Sequence, residues 1–165
     1  MIKKYTIILL VANKHGVLTR ISGLFAKRAY NIDNLSVGKT NVEGTSRMTV
    51  IVECDDELID QIREQLKKLV DIIEVETVME KPAVMRELML VKVKHNGDGA
   101  DSAHVIEAIN VFRGKVVDMA PESVIVEITG QEDKLNAFLQ YMKGFGILEV
   151  SRTGVTAMLR GAKGV

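Results

Sequence analysis

The strongest constraint in this sequence is one order of apolar periodicities that occurs twice. Runs alternating with period two and stripes with period 3.6 follow each other as strand, helix, strand, strand, helix, strand. Tyr5 to Ala12 is an apolar run of strand length. From Val17 to Ala29 a helix is predicted, with Val17, Leu18, Ile21, Leu24 and Phe25 on one face and Arg20, Lys27 and Arg28 elsewhere. Ile32 to Lys39 and Arg47 to Cys54 read as strands, joined by the turn-forming stretch Thr40 to Thr45. Asp55-Asp56 open a helix through Lys68, and acids at that position suit the helix dipole. Its stripe is Leu58, Ile59, Ile62, Leu66 and Leu69. Ile72 to Met79 alternates again, with Ile73 and Val75 on one side.

Glu80-Lys81-Pro82-Ala83 is the boundary, because Pro82 disfavours helix before it and cannot donate to a strand ladder. Beyond it come a strand from Arg86 to Lys94, a loop through Asn96-Gly97-Asp98-Gly99, and a helix from Ser102 to Phe112. That helix would turn Ile106, Ile109 and Phe112 inward, and Gly114 would break it. Strands at Lys115 to Met119 and Ser123 to Thr129 follow. A helix from Glu132 to Met142 carries Leu135, Phe138, Leu139 and Met142 on one face, and Ile147 to Arg152 is a last strand. The tail from Thr153, with three glycines, is expected to fray.

The doubled β-α-β-β-α-β order predicts an α+β chain of two tandem ferredoxin-like domains, 1–80 and 84–165. Two helices cover one face of each sheet, so apolar residues on the other face, Ile51 among them, are expected to pack on something further, such as another sheet. Halves of this size gain from association.

The 22 basic and 22 acidic residues cancel, which argues against a polyanion-binding protein. An RNA-recognition module shares the topology but needs aromatic residues on the open sheet face. There is no tryptophan, and Phe25, Phe112 and Phe138 fall on predicted helices. Cys54, the only cysteine, lies on the same strand face as Met48, Val50 and Val52 and reads as core. The three histidines lack metal-ligand spacing. No nucleophile elbow, Walker pattern or dinucleotide fingerprint is present. The paired acids Asp55-Asp56 and Glu132-Asp133 sit at helix starts, where capping accounts for them. No apolar run is long enough to span a bilayer, and a cytoplasmic location is expected.

One stretch carries binding chemistry: Asn13-Lys14-His15-Gly16-Val17-Leu18, between a strand and a helix, with Asn31-Ile32 a helix-length downstream. A helix start leaves backbone N–H groups unpartnered and carries partial positive charge, which suits a carboxylate. Gly16 lets a ligand approach the backbone, and the amides of Asn13 and Asn31 offer donors and acceptors. His15 lies within the loop and is a further contact candidate. Locally the same residues also read as a plain turn and cap.

The N-terminal half resembles an ACT domain. The stretches Asn13 to Phe25, Arg28 to Leu35, Ser46 to Thr49, Arg86 to Val93, Phe112 to Asp118 and Arg152 to Ala157 are together similar to the small regulatory subunits of acetohydroxyacid (acetolactate) synthase. The similarity covers essentially the whole chain. Ala29 departs from it, standing where that family usually has glycine, in a place where a helix end is expected to tolerate either.

The resemblance implies a non-catalytic subunit that activates a catalytic subunit and confers feedback inhibition by valine, with leucine and isoleucine as further effectors. Thiamine diphosphate, magnesium and FAD would belong to that catalytic subunit, and no cofactor is expected here. The effector would lie between the ACT domains of a homodimer whose sheets join edge to edge, touched by Asn13, His15, Gly16, Val17, Leu18, Asn31 and Ile32. Its carboxylate is assigned to the N–H groups from Gly16 to Leu18, and Val17 with Ile32 would form the apolar wall. A stand-alone amino-acid-sensing ACT protein is the alternative.

Overall fold

In the computed structural model, residues 1–78, 82–95, 100–162 and 164–165 are described, the side chains of 100 and 101 excepted. Two compact units result, one of Met1–Val84 with Val155–Val165 and the other of Met85–Gly154. The expected boundary residues 80–81 and the loop 96–99 lie outside the described residues.

The first unit runs β1 (Lys3–Ala12), α1 (Val17–Lys27), β2 (Ile32–Lys39), β3 (Thr45–Cys54), α2 (Asp56–Lys67) and β4 (Ile72–Val78). Its sheet has the order β2-β3-β1-β4, antiparallel throughout, so β2 and β4 are the edges. Alternation along β1 and β3 sends Tyr5, Ile7, Leu9 and Met48, Val50, Val52, Cys54 to one face. There they meet Val17, Ile21, Leu24 and Phe25 of α1 and Ile59, Ile62 and Leu66 of α2. Each such side chain contributes about 1.5–3 kcal/mol by leaving water. Asp55 caps α2, its carboxylate accepting the Leu58 N–H at 2.8 Å. Asp56 does not cap; its carboxylate accepts the Tyr5 hydroxyl and the Lys3 ammonium.

On β4 the expected face assignment fails at Ile73. The pairing with β1 shifts between Leu10↔Glu74 and Val11↔Ile72, which makes Ile73 the extra residue of a bulge. Ile72 therefore packs on the core, and Ile73 is 58% exposed.

Helix α1 ends earlier than its periodicity suggests, and in a specific way. The Tyr30 N–H donates to Phe25 C=O at 3.0 Å and the Ala29 N–H to Ala26 C=O at 3.1 Å, which is a Schellman closure. That motif needs a left-handed residue, and Ala29 supplies it at φ +54°. Alanine is thus strained here, and the two residues are not equivalent at this helix end. In the second unit Arg113 takes the same role at φ +55°, so it is Arg113 that turns the chain at the position expected of Gly114.

The second unit repeats the plan with β5 (Ala83–Lys94), α3 (Ala100–Val111), β6 (Lys115–Ala120), β7 (Ser123–Gly130), α4 (Glu132–Met142) and β8 (Ile147–Arg152) in sheet order β6-β7-β5-β8. Leu135, Phe138 and Met142 are buried as expected, whereas α3 is rotated from the expected face. Val105, Ala108 and Ile109 form its inner stripe, with Ile106 and Phe112 only partly buried. Arg152 grips Glu87 with two parallel bonds, Nε–Oε1 at 2.8 Å and Nη2–Oε2 at 2.5 Å, and reaches Asn136 at 3.0 Å. Glu87 is only 3% exposed, so its charge depends on that fork.

The tail does not fray. Its segment β9 (Thr156–Leu159) lies against β1 and β3, and Val155 and Ala157 are buried. Side chains of the open sheet face hold its backbone: Asn34 Oδ1 accepts the Val155 N–H at 2.9 Å, and Ser36 Oγ donates to Val155 C=O at 2.8 Å. Arg47 donates to Ala157 C=O at 3.0 Å. Glycines in the tail do not prevent this, because the side chains it meets are already fixed by the sheet. Ile51 is buried too, and on this face the tail strand is held by the Ala157 N–H donating to Thr49 Oγ1 at 3.3 Å.

Candidate functional site

The end of the first sheet at which β1 stops is built by loops tied to one another. The Ala12 N–H donates to Asp71 C=O and the Asn13 N–H to Gly44 C=O, both at 2.8 Å. These bonds fix the backbone of the 13–16 loop and leave the side chains of Asn13, Lys14 and His15 exposed. An ion pair between Arg20 and Asp71, 2.7 Å, fastens the first turn of α1 to the start of β4.

Helix α1 begins at Gly16, whose φ of +79° belongs to the left-handed region. No side chain caps this helix and no acid lies in its first turn. Helix α2 offers the contrast, since Asp55 caps it and Asp56 and Glu57 offset its dipole. At α1 the Val17 N–H makes only a long bond to Lys14 C=O, 3.5 Å, while those of Leu18 and Thr19 lie in the turn that has no intrahelical acceptor. A Cβ placed on Gly16 would meet nothing within 4 Å. The protein thus leaves unneutralised donors and open space at the start of α1, an arrangement suited to an anion of carboxylate size.

The side chains sort differently from expectation. Val17 is 3% exposed inside the core, so its backbone N–H faces the loop but its side chain cannot wall a ligand. Leu18, 44% exposed, is the apolar side chain beside the open helix start. Ile32 is half-buried against the core, and Asn31 is exposed with no hydrogen-bond partner among the described residues.

Most informative is what the fold does not bring together. Ala12 is level with Thr45, whereas Ile32 is level with Val52, which in turn is level with Tyr5. The 13–18 loop and Asn31-Ile32 therefore sit at opposite ends of the sheet, seven strand positions or roughly 23 Å apart. One chain alone cannot place both on one small ligand.

Three groups in this unit lie outside the residues expected to touch an effector, and of these only Cys54 was placed from sequence, as core. Arg47 is half-buried, and burial pulls its guanidinium below the usual arginine range, with Glu74 acting against this. It donates to the carbonyls of Ala157 and Val165, both at 3.0 Å, and beside it a cavity of about 490 Å³ is lined by Leu10, Lys39, Val42 and Met158. Tyr5 has its phenol pushed up to about 12 by its hydrogen bond to Asp56, which holds Asp56 below the usual carboxylate range in return. Cys54 is buried, and burial pushes its thiol up, as befits a core residue. Of Tyr5 and Arg47, only Arg47 had a signal in the sequence, an arginine within an alternating apolar strand.

Among the described residues no group of three or more His, Cys, Asp or Glu side chains is placed to hold a metal ion. None of their helices is long and apolar enough to cross a membrane.

Comparison with known proteins converges on one family. Residues 7–74 match the family model of the AHAS small subunit-like ACT domain, and residues 86–161 match that of the small subunit of acetolactate synthase. A probable acetolactate synthase small subunit of Methanothermobacter thermautotrophicus is 44% identical over 154 residues, 93% of this chain and 91% of that one. The acetolactate synthase small subunit of Mycobacterium bovis is 41% identical over 163 residues, covering 99% and 96%. The crystal structure of the acetolactate synthase small subunit from Thermotoga maritima superposes with a TM-score of 0.88 at 35% identity, over 98% of this chain and 99% of that one. With the doubled ferredoxin-like plan and an N-terminal ACT domain, the chain belongs to the acetolactate synthase small-subunit family.

Proposed function

We propose that this chain is the regulatory partner of a thiamine-diphosphate-dependent acetolactate synthase catalytic subunit, activating it and transmitting feedback inhibition by valine. The observation that carries the effector reading is the uncapped start of α1 at Gly16, with free N–H groups and open space. An amino-acid carboxylate would take the Val17 and Leu18 N–H groups, and the Asn13 amide would meet the remaining polar atoms. Leu18 would supply apolar contact. Pockets of this kind separate side chains one methylene apart by only about 1–3 kcal/mol, so leucine and isoleucine bind as well, less tightly.

The gap of roughly 23 Å between Asn31 and the loop is resolved by association. β2 is an edge strand carrying Asn31 just before its start and ending level with the loop. If two copies pair antiparallel along β2, each copy's Asn31 comes to the end of the sheet where the other's 13–18 loop lies. Two equivalent sites then form, each built from both chains. A ligand shared in this way binds one arrangement of the dimer better than others, which is all that feedback control requires.

The test is reconstitution of this chain with its catalytic subunit, following acetolactate formation with and without valine. Activation that valine reverses supports the proposal. Absence of activation, with both proteins folded, removes it.

A further inference from the structure

One residue anchors both ends of the 13–18 loop. Asp71 lies in the turn between α2 and β4, and its backbone C=O accepts the Ala12 N–H at 2.8 Å, where β1 ends and the loop begins. Its carboxylate reaches the other way, to Arg20 in the first turn of α1, with 2.7 Å between Oδ2 and Nη2. Between these two grips lie residues 13–19, and with them the backbone N–H groups assigned to the effector carboxylate. Neither charge is placed for the sake of its own helix. Arg20 stands at the positive end of α1, and Asp71 just past the negative end of α2. The Asp71 side chain is only 11% exposed, so it has also given up much of its hydration. Its Oδ2 has no hydrogen bond, so charge rather than an aligned N–H···O contact holds the pair.

The pair reaches the donors through the backbone. The Arg20 N–H donates to Gly16 C=O at 2.9 Å and so closes the first turn of α1. Gly16 C=O and Val17 N–H belong to one planar peptide and point in opposite directions. A carbonyl held toward Arg20 therefore turns the Val17 N–H out of the helix start. We propose that Asp71 is the positioning residue of the effector site, acting through Arg20 on the loop and touching no effector atom itself. The inference rests on the effector reading given above and names the residue that holds that site in shape. Asp71 fixes Arg20, Arg20 fixes the Gly16–Val17 peptide, and the donors stand oriented before a ligand arrives. Oriented donors bind more tightly, because less freedom is lost on binding.

Full-length Asp71→Asn, Arg20→Gln and the double variant test this, with Ile62→Val in the α2 core as a control that loosens the unit without touching the loop. Each is titrated with valine by calorimetry and melted, and amide exchange at Arg20 is followed in the ligand-free protein. Either single variant should lose roughly fivefold or more in valine affinity, and the double variant no more than either, because the pair acts as one unit. Melting should follow a different order. Arg20→Gln strands a nearly buried carboxylate and should melt below Asp71→Asn, although the two lose affinity alike. Ile62→Val should melt below wild type and bind valine as wild type does. The Arg20 amide should exchange faster in Asp71→Asn, while the Ile62 amide should not. Valine affinity of Asp71→Asn within about twofold of wild type overturns the proposal, and so do losses that multiply in the double variant. Tighter binding by Asp71→Asn overturns it too, since a released Arg20 would then be the effector's own ligand. Wild-type protein that binds no valine removes the effector reading instead. Exchange at Arg20 then decides the clamp, and unchanged exchange in Asp71→Asn overturns it.

Discussion

Replacing Gly16 by aspartate separates the anion-site reading from the plain turn reading, provided that alanine is tested at the same position. Gly16 sits at φ +79°, so either side chain carries the left-handed penalty of about 1–2 kcal/mol. Neither meets a steric obstacle, because no atom lies within 4 Å of the added Cβ. Both variants should therefore fold, with similar losses in melting temperature. They differ in charge. A carboxylate at residue 16 would stand about 4 Å from a ligand carboxylate held by the Val17 and Leu18 N–H groups. That repulsion is about 1 kcal/mol under water-like screening and about 4 kcal/mol at an effective dielectric constant near 20. The corresponding loss of valine affinity runs from roughly fivefold to roughly a thousandfold. The loop is exposed in the single chain, and the enclosure by a second copy proposed above would move the value toward the upper figure. Isothermal titration of wild type, Gly16→Ala and Gly16→Asp with valine, at low and high salt, reads this directly. The aspartate variant should lose far more affinity than the alanine variant, with part of the gap closing as salt screens the repulsion. Equal affinities for the two variants would refute a carboxylate at this helix start.

Ala29→Gly should raise stability by about 0.5–1 kcal/mol, because glycine adopts φ +54° without strain and the gain exceeds its extra unfolded-state entropy; urea melts of the two proteins decide it. Arg152→Ala should destabilise the second unit by about 3–5 kcal/mol, since it leaves the buried carboxylate of Glu87 without its guanidinium, whereas an exposed pair such as Lys67–Glu64 should cost less than about 1 kcal/mol. Tyr5→Phe should change the pH dependence of stability at both extremes. The raised phenol of Tyr5 stabilises the fold below pH 10, an effect lost as pH rises toward about 12. The lowered carboxyl of Asp56 stabilises it above the ordinary carboxylate range, an effect lost as pH falls. Chemical melts from about pH 3 to about pH 11 should show both limbs flatter in the variant.

Much of this fold was legible because local and long-range signals agree. The alternation Met48-Thr49-Val50-Ile51-Val52 fixes β3 on both faces, and Asp55 announces the start of α2 by its own capping chemistry. Where reading failed, the deciding partner was remote in sequence. Ile73 looks like core until the β1 register inserts a bulge beside it. Val155 and Ala157 look like a loose tail until Asn34, Ser36 and Arg47, more than 100 residues away, hold the backbone between them. Val17 and Leu18 are adjacent apolar residues at a helix start, and only the packing angle of α1 decides which one faces the core. For the candidate site the loop chemistry was readable and the distance was not. Asn13 and Asn31 are 18 positions apart in sequence, yet they stand at opposite ends of the sheet.

The measurement that bears most directly on the account is valine binding to mixed dimers of Gly16→Asp and Asn31→Ala chains. If each site takes its loop from one chain and Asn31 from the other, a mixed dimer contains one site with both residues intact and one with both changed. Calorimetry on tagged, purified mixed dimers should then show one high-affinity valine per dimer, where each variant alone shows none. A mixed dimer that binds no better than either variant would contradict the account, because it would mean that Gly16 and Asn31 of the same chain serve the same site.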